Sequence, residues 1–69
     1  MKDYTNLWKE ILEKEIISEK EDFFDQGGTS LSLIQLIAET KERFSVNLDI
    51  SDFGEGLTLE IYKNLLLKK

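Results

Sequence analysis

The 69-residue chain contains no cysteine, no histidine and no proline, and the first two absences exclude whole classes of function. Without Cys there is no disulfide framework, no thiolate nucleophile and no cysteine-based zinc site. Without His, the usual general base and the commonest metal ligand are both missing. A self-sufficient hydrolase or metalloenzyme is therefore not expected, and we predict that the chain is not an enzyme and has neither catalytic nor metal-binding residues.

Long apolar runs and an excess of basic charge are lacking as well. No run approaches the roughly 18 residues that a membrane span requires, and Met1–Tyr4 has no apolar stretch typical of a signal peptide. The formal net charge of −5 disfavours nucleic acid as a partner. We predict a soluble, cytoplasmic monomer formed by one domain, residues 1–69, that binds neither membranes nor nucleic acid. The absence of a linker at either end favours a stand-alone protein, although an excised domain would look the same.

Glycine is scarce, and the two places where it occurs divide the chain into three stretches. In the first stretch, apolar residues at three- and four-residue spacing predict an amphipathic helix from about Asp3 to Ser18, capped by Asp3 or Thr5. The last stretch predicts a helical turn at Ser51–Phe53 and a final helix after the N-cap Thr58. No segment alternates with period two, so the predicted fold is all-α, a small bundle of three main helices plus one short helix.

An acidic segment, residues 18–28, separates the first two predicted helices. It predicts a turn or a short 3₁₀ piece, with the adjacent Phe23 and Phe24 anchoring the loop on the core. Gly27 and Gly28, at its end, allow positive φ and remove side-chain bulk around the residues that follow.

The second helix, predicted over Ser30–Phe44, carries apolar residues on two sides. At 100° per residue, one face has the width of a typical core stripe. That face is formed by Leu33, Leu36, Ile37, Thr40 and Phe44, with Thr40 interpreted as a tolerated small residue. Leu31, Ile34 and Ala38 fall on roughly the opposite side, so the helix is either packed on both sides or exposes an apolar stripe to a partner.

Ser30 stands where this helix begins, with its hydroxyl expected to point outward. An anion attached there would meet free backbone N–H groups and the positive end of the helix dipole. The other interpretation is that Thr29 or Ser30 simply caps the helix. From the residues alone, both interpretations remain open.

The loop from Asp22 to Leu31, DFFDQGGTSL, resembles the signature of peptidyl carrier domains from nonribosomal peptide synthetases. The likeness continues through Gln35–Ile37, Arg43–Leu48 and Leu57–Thr58. It spans nearly the whole chain, which is identified on these residues as a member of the acyl/peptidyl carrier superfamily.

The resemblance implies a prosthetic group. Ser30 matches the serine that receives 4′-phosphopantetheine from coenzyme A, in a transfer made by a separate phosphopantetheinyl transferase. Gly27, Gly28, Thr29 and Leu31 flank that attachment site. The thiol of the group would hold aminoacyl or peptidyl cargo as a thioester, so the absence of Cys is no obstacle.

The resemblance also implies a partner surface and a core. Leu31, Ile34, Ala38 and Lys41 fall where carrier proteins meet adenylation or ligase, condensation and other acyl-transferring enzymes. The positions that match the family's core are Phe23, Phe24, Leu36, Ile37, Phe44 and Val46.

Two alternatives stay open. The sequence Thr29-Ser30-Leu31 behind two glycines favours the peptidyl branch over fatty-acid carriers, which usually have Asp-Ser-Leu, but an acyl carrier of a polyketide or fatty-acid-like pathway can share it. The alternative from another class is an unmodified helical interaction module in which Ser30 is only a cap.

Overall fold

The computed structural model describes residues 4–53 and 56–68. Three α-helices follow one another along the chain: α1 (Tyr4–Leu12), α2 (Ser30–Phe44) and α3 (Leu59–Lys68). A short 3₁₀ helix, Ile50–Phe53, lies between α2 and α3. Within the described residues the only β-pairing is an isolated bridge between Asp22 and Thr58. The predicted all-α bundle of three main helices plus one short helix is confirmed.

Helix α1 is shorter than predicted, because it ends at Leu12 and not near Ser18. Glu13 adopts a left-handed conformation with φ of 56°. The Glu13 N–H donates to the Glu10 carbonyl at 3.3 Å, and the Lys14 N–H donates to the Lys9 carbonyl at 3.1 Å. This pair of bonds is a Schellman motif, which closes a helix and turns the chain away from its axis.

The early end of α1 changes where the next apolar side chains go. Ile16, which continues the apolar spacing of the predicted first helix, is 85% exposed, whereas Ile17 packs against the core. Of the two N-cap residues considered, Thr5 lies inside α1, while Asp3 falls outside the described residues.

Helix α2 begins and ends where the sequence predicts. Leu33, Leu36 and Thr40 are buried, and Ile37 and Phe44 pack against the core from its rim. The helix ends because Ser45 turns left-handed (φ of 58°) and donates its N–H to the Lys41 carbonyl at 3.0 Å.

The core joins all three helices to the loops between them. Its centre is aromatic: Trp8 meets Phe23 edge-on with ring centroids 5.3 Å apart, and Tyr62 at 5.5 Å. The buried apolar residues are Leu7, Trp8, Leu12, Phe23, Leu33, Leu36, Leu48, Leu57, Leu59, Tyr62 and Leu66. Among the predicted core positions Phe23 and Leu36 are buried, and Ile37, Phe44 and Val46 are half-buried against the core. The prediction for Phe24 is wrong, since this side chain is 47% exposed.

A buried chain of hydrogen bonds connects α2 to α3. The Thr40 hydroxyl donates to the Leu36 carbonyl at 2.7 Å and lies 2.7 Å from the Tyr62 hydroxyl. A hydroxyl has one proton, so Tyr62 donates to Thr40 in this arrangement. Burial raises the pKa of Tyr62 to about 12. Thr40 is therefore more than a tolerated small residue.

Candidate functional site

The loop that precedes α2 is held against the start of α3. The Phe23 N–H donates to the Leu57 carbonyl at 2.7 Å, and the Leu57 N–H donates to the Asp22 carboxylate at 3.0 Å. The other Asp22 oxygen accepts the Phe24 N–H at 2.9 Å. The Asp22 side chain therefore fixes both its own turn and the connection to the segment before α3, a role that the sequence analysis missed.

Gln26 closes the base of the same loop and was also missed. Its side chain is buried, and its Oε1 accepts the Ser18 N–H at 2.8 Å. Its Nε2 donates to the carbonyls of Ser18 and Glu21, each at 3.0 Å. A single buried amide in a polar loop is not part of a periodic apolar pattern, so the sequence does not indicate that it is buried. Its backbone partners are identified only in the three-dimensional structure.

The two glycines have different roles. Gly27 has φ of +100°, a conformation that side chains disfavour. Gly28 is needed for space, because a Cβ there would overlap the Phe23 ring and come within 2.8 Å of its carbonyl oxygen. Since Phe23 is fully buried, the ring has no room to withdraw. The backbone therefore passes directly over a core aromatic ring just before α2 begins.

At the start of α2, the residue that caps the helix and the exposed serine are two different residues. Thr29 is the N-cap: its hydroxyl accepts the Ser32 N–H at 3.1 Å. Ser30 is the first helical residue and is exposed. Among the described residues, its hydroxyl has no hydrogen-bond partner. The first N–H groups of a helix have no intrahelical acceptor, so an anion on Ser30 would lie in a favourable field.

The residues of the predicted partner surface lie together on the outer side of α2. Leu31 is 67% exposed and Ile34 is 60% exposed, and Ala38 and Lys41 are exposed as well. The stripe is therefore not covered by a second layer of this chain within residues 4–53 and 56–68. We call Leu31, Ile34, Ala38 and Lys41 the outer face of α2.

The neighbouring cation Arg43 belongs to the scaffold. Its guanidinium donates to Glu10 on α1 and to Glu39 on α2, each at 2.9 Å. These hydrogen bonds raise the pKa of Arg43 above its ordinary value, and the bond with Glu10 has the larger effect. Arg43 thus joins two helices, whereas Lys41 has no ion pair among the described residues.

None of the helices in the described part of the chain is long and apolar enough to pass through a lipid bilayer. The longest of them, α2, has 15 residues.

Comparison with known proteins identifies the family. A family model described as a phosphopantetheine attachment site matches residues 5–60. Syringomycin synthase SyrB1 of Pseudomonas syringae pv. syringae is 38% identical over 55 residues, which cover 80% of this chain and 9% of that protein. N-(5-amino-5-carboxypentanoyl)-L-cysteinyl-D-valine synthase of Penicillium rubens is 35% identical over 65 residues, 91% of this chain and 2% of that protein. Indigoidine synthase of Streptomyces lavendulae is 34% identical over 59 residues, 86% of this chain and 5% of that protein.

The chain thus spans less than a tenth of the length of these relatives. The resemblance to peptidyl carrier domains predicted from the loop before α2 is confirmed. The matched segment contains that loop, the whole of α2 and the start of α3. The chain belongs to the phosphopantetheine-attachment family, whose members bind 4′-phosphopantetheine covalently.

Proposed function

We propose that Ser30 bears 4′-phosphopantetheine and that the chain is a peptidyl carrier, which holds aminoacyl or peptidyl groups as thioesters and passes them between enzymes of a nonribosomal peptide pathway. The observation that carries the proposal is that different residues cap the helix and expose a hydroxyl at the start of α2. Thr29 caps the helix through its hydroxyl, while the adjacent Ser30 is exposed and free to be modified. The name of one relative, the synthase of an acylated cysteinyl-valine, supports this type of cargo.

The attachment reaction asks little of the chain itself. The Ser30 oxygen forms a bond to the phosphorus that bears the pantetheine in coenzyme A. The bond from that phosphorus to the other half of the pyrophosphate breaks, so adenosine 3′,5′-bisphosphate leaves. The serine proton goes to a base of the transferase. The N-terminus of α2 favours the phosphodiester anion that results.

When bound, the prosthetic group supplies the thiol that the chain lacks. The chain contributes position: Gly28 leaves room for the Phe23 ring just before α2 begins, and Gln26 joins the end of the preceding loop to Ser18 and Glu21. We therefore propose a carrier with no catalysis of its own, acting as a single cytoplasmic domain, residues 1–69, and as a monomer. The composition, without His or Cys, supports this division between a carrier and its enzymes.

Intact mass spectrometry tests the attachment. The chain is incubated with coenzyme A and a promiscuous phosphopantetheinyl transferase. We expect the mass to increase by one phosphopantetheine, the increase to vanish in Ser30→Ala, and the increase to persist in Ser32→Ala, which removes the nearest hydroxyl on the same helix. No increase on the wild-type chain, or an unchanged increase on Ser30→Ala, would refute the proposal.

Loading assays then separate peptidyl from acyl cargo. The modified chain is offered to an adenylating enzyme with amino acids and, separately, to a malonyl or acyl transferase with acyl-coenzyme A. Loading by the adenylating enzyme supports the peptidyl carrier. Loading by the acyl transferase alone contradicts it and supports an acyl carrier of a polyketide or fatty-acid-like pathway.

The outer face of α2 is the proposed docking surface for the transferase and for the adenylation, ligase and condensation enzymes. Its apolar members are exposed in the free chain, and covering such side chains with a partner stabilises the complex. Ile34→Asp is therefore expected to slow modification of Ser30 at least tenfold, while Ile16→Asp is the matched control because Ile16 is 85% exposed and lies outside α2. Equal rates for Ile34→Asp and Ile16→Asp would show that partners dock elsewhere.

A further inference from the structure

A groove of about 510 Å³ lies between α1 and α2, and Ser30 is not part of its lining. Its volume is within the range of sites that enclose small groups. Leu7 and Ile11 of α1 form its apolar floor, because Leu7 is buried in the core and Ile11 packs against the core. Ala38 of α2 lines the groove as well. Since Ala38 also belongs to the outer face of α2, the groove is continuous with the proposed docking surface.

The groove has an excess of negative charge. Its lining contains three carboxylates, those of Glu10, Glu13 and Glu39, and one cation, Arg43. Arg43 donates to one oxygen of Glu10 and to one oxygen of Glu39, each at 2.9 Å. Glu13 forms no ion pair with any residue in the ranges 4–53 and 56–68. Three negative charges against one positive charge leave an excess of two, and Glu13 is the carboxylate without a cation.

These features specify the side chain that would fill the groove. A long methylene stem would cover Leu7 and Ile11 while its cationic end reaches Glu13. A guanidinium suits a carboxylate better than an ammonium does, because its planar fork can donate two parallel hydrogen bonds. An anion would be repelled, and a wholly apolar group would remove water from the carboxylates without replacing its hydrogen bonds. The groove therefore matches an arginine side chain.

We propose that the groove binds an arginine side chain of the enzyme that loads the carrier, while that enzyme covers the outer face of α2. The inference rests on the proposed function, because it requires a loading enzyme. The apolar outer face provides contact area, but apolar contact has no preferred direction. An ion pair in the adjoining groove fixes the orientation of the enzyme on α2 and disfavours partners that lack the arginine.

Steady-state kinetics of loading, with the modified chain as the varied substrate, test the inference. Glu13→Lys reverses the unpaired charge and leaves both hydrogen bonds of Arg43 in place. Glu15→Lys is the matched control, because it changes the net charge equally and Glu15 is exposed outside the groove lining. We expect Glu13→Lys to raise the KM for the chain about fivefold with kcat unchanged, and high ionic strength to reduce this difference. Glu15→Lys should keep the KM of the wild type, and equal KM values for the two variants would overturn the inference.

Charge reversal on the enzyme identifies the arginine. Each arginine on the carrier-binding surface of the loading enzyme is changed to Glu in turn. We expect one of these enzyme variants to load Glu13→Lys with a lower KM than the wild-type chain, which reverses the preference of the unchanged enzyme. If every such variant still prefers the wild-type chain, the groove does not bind an arginine and the inference is wrong.

Two controls separate this inference from the proposed function. Glu13→Lys is expected to gain the full mass of the arm on Ser30 and to keep the helical circular dichroism spectrum, so that a higher KM reflects binding. Glu13→Gln removes the charge without reversing it and should raise the KM by a smaller factor. Absence of modification or of loading in the wild-type chain would overturn the proposed function and this inference together. Normal loading of Glu13→Lys would overturn this inference alone.

Discussion

Removing the Thr40 hydroxyl should destabilise the protein more than removing the Tyr62 hydroxyl, although both changes break the same hydrogen bond. In Tyr62→Phe, Thr40 still donates to the Leu36 carbonyl, and no buried donor is left without an acceptor. We expect a loss of about 1 kcal/mol, the usual net value of one hydrogen bond. In Thr40→Val the phenol of Tyr62 stays in the core, 0% exposed, and loses its acceptor.

The cost of that stranded donor sets the size of the effect. An unsatisfied buried hydroxyl costs about 1–3 kcal/mol, so we expect about 2 kcal/mol for Thr40→Val. In a chain of this length each kcal/mol lowers the melting temperature by roughly 4–8 °C. The double variant contains neither hydroxyl and should lose about 1 kcal/mol in total, less than the sum of the two single losses.

Urea unfolding followed by circular dichroism measures these differences in the free energy of unfolding. The comparison requires that the dependence of this free energy on urea concentration has the same slope in the three variants and the wild type. The reasoning is refuted if Tyr62→Phe is as destabilising as Thr40→Val. It is also refuted if the losses of the single variants add up in the double variant, because the two hydroxyls would then act independently.

Three further predictions concern the same scaffold. Burial raises the pKa of Tyr62 from 10.0 to about 12, so between pH 10 and pH 12 the folded chain keeps a proton that the unfolded chain releases. The free energy of unfolding should therefore fall by about 1.4 kcal/mol per pH unit over this range. Urea unfolding at alkaline pH measures the decline, which Tyr62→Phe should lack. Glu13→Gly should raise stability by about 0.5–1 kcal/mol, because Gly adopts the left-handed conformation at the end of α1 without steric cost; an unchanged or lower urea midpoint would contradict this. Gly28→Ala should cost about 1–3 kcal/mol through overlap with Phe23, and Phe23→Leu in the same chain should make the combined loss smaller than the sum.

The sequence predicts α2 and its two faces well because periodicity and capping agree there. Leu33, Leu36 and Thr40 fall on one stripe, and Thr29 provides the cap that the helix start requires. The end of α1 could not be predicted in the same way. Glu13, Lys14 and Glu15 are good helix formers and Ile16 continues the apolar spacing, so no residue type announces the left-handed turn at Glu13.

At the candidate site the sequence locates the exposed serine but not the residues that hold the preceding loop in place. Ser30 and the outer face of α2 are visible as a motif and as a second apolar stripe. Asp22 and Gln26 act through backbone groups at Leu57 and Ser18, and such partners cannot be inferred from local spacing. Phe24 is 47% exposed beside the buried Phe23, and the sequence does not say whether both of two adjacent apolar residues in a loop face the core.

The ties between the loop before α2 and the segment at α3 impose an order on biosynthesis. The Phe23 N–H needs the Leu57 carbonyl, the Asp22 carboxylate needs the Leu57 N–H, and the Glu19 carbonyl receives the Glu60 N–H at 3.2 Å. A ribosome makes these partners after the loop itself, and long-range contacts form only after the intervening chain is available. The geometry around Ser30 therefore cannot exist on a nascent chain that ends before α3. A transferase that requires this geometry would modify only completed carriers, and the modification itself would report that folding has finished.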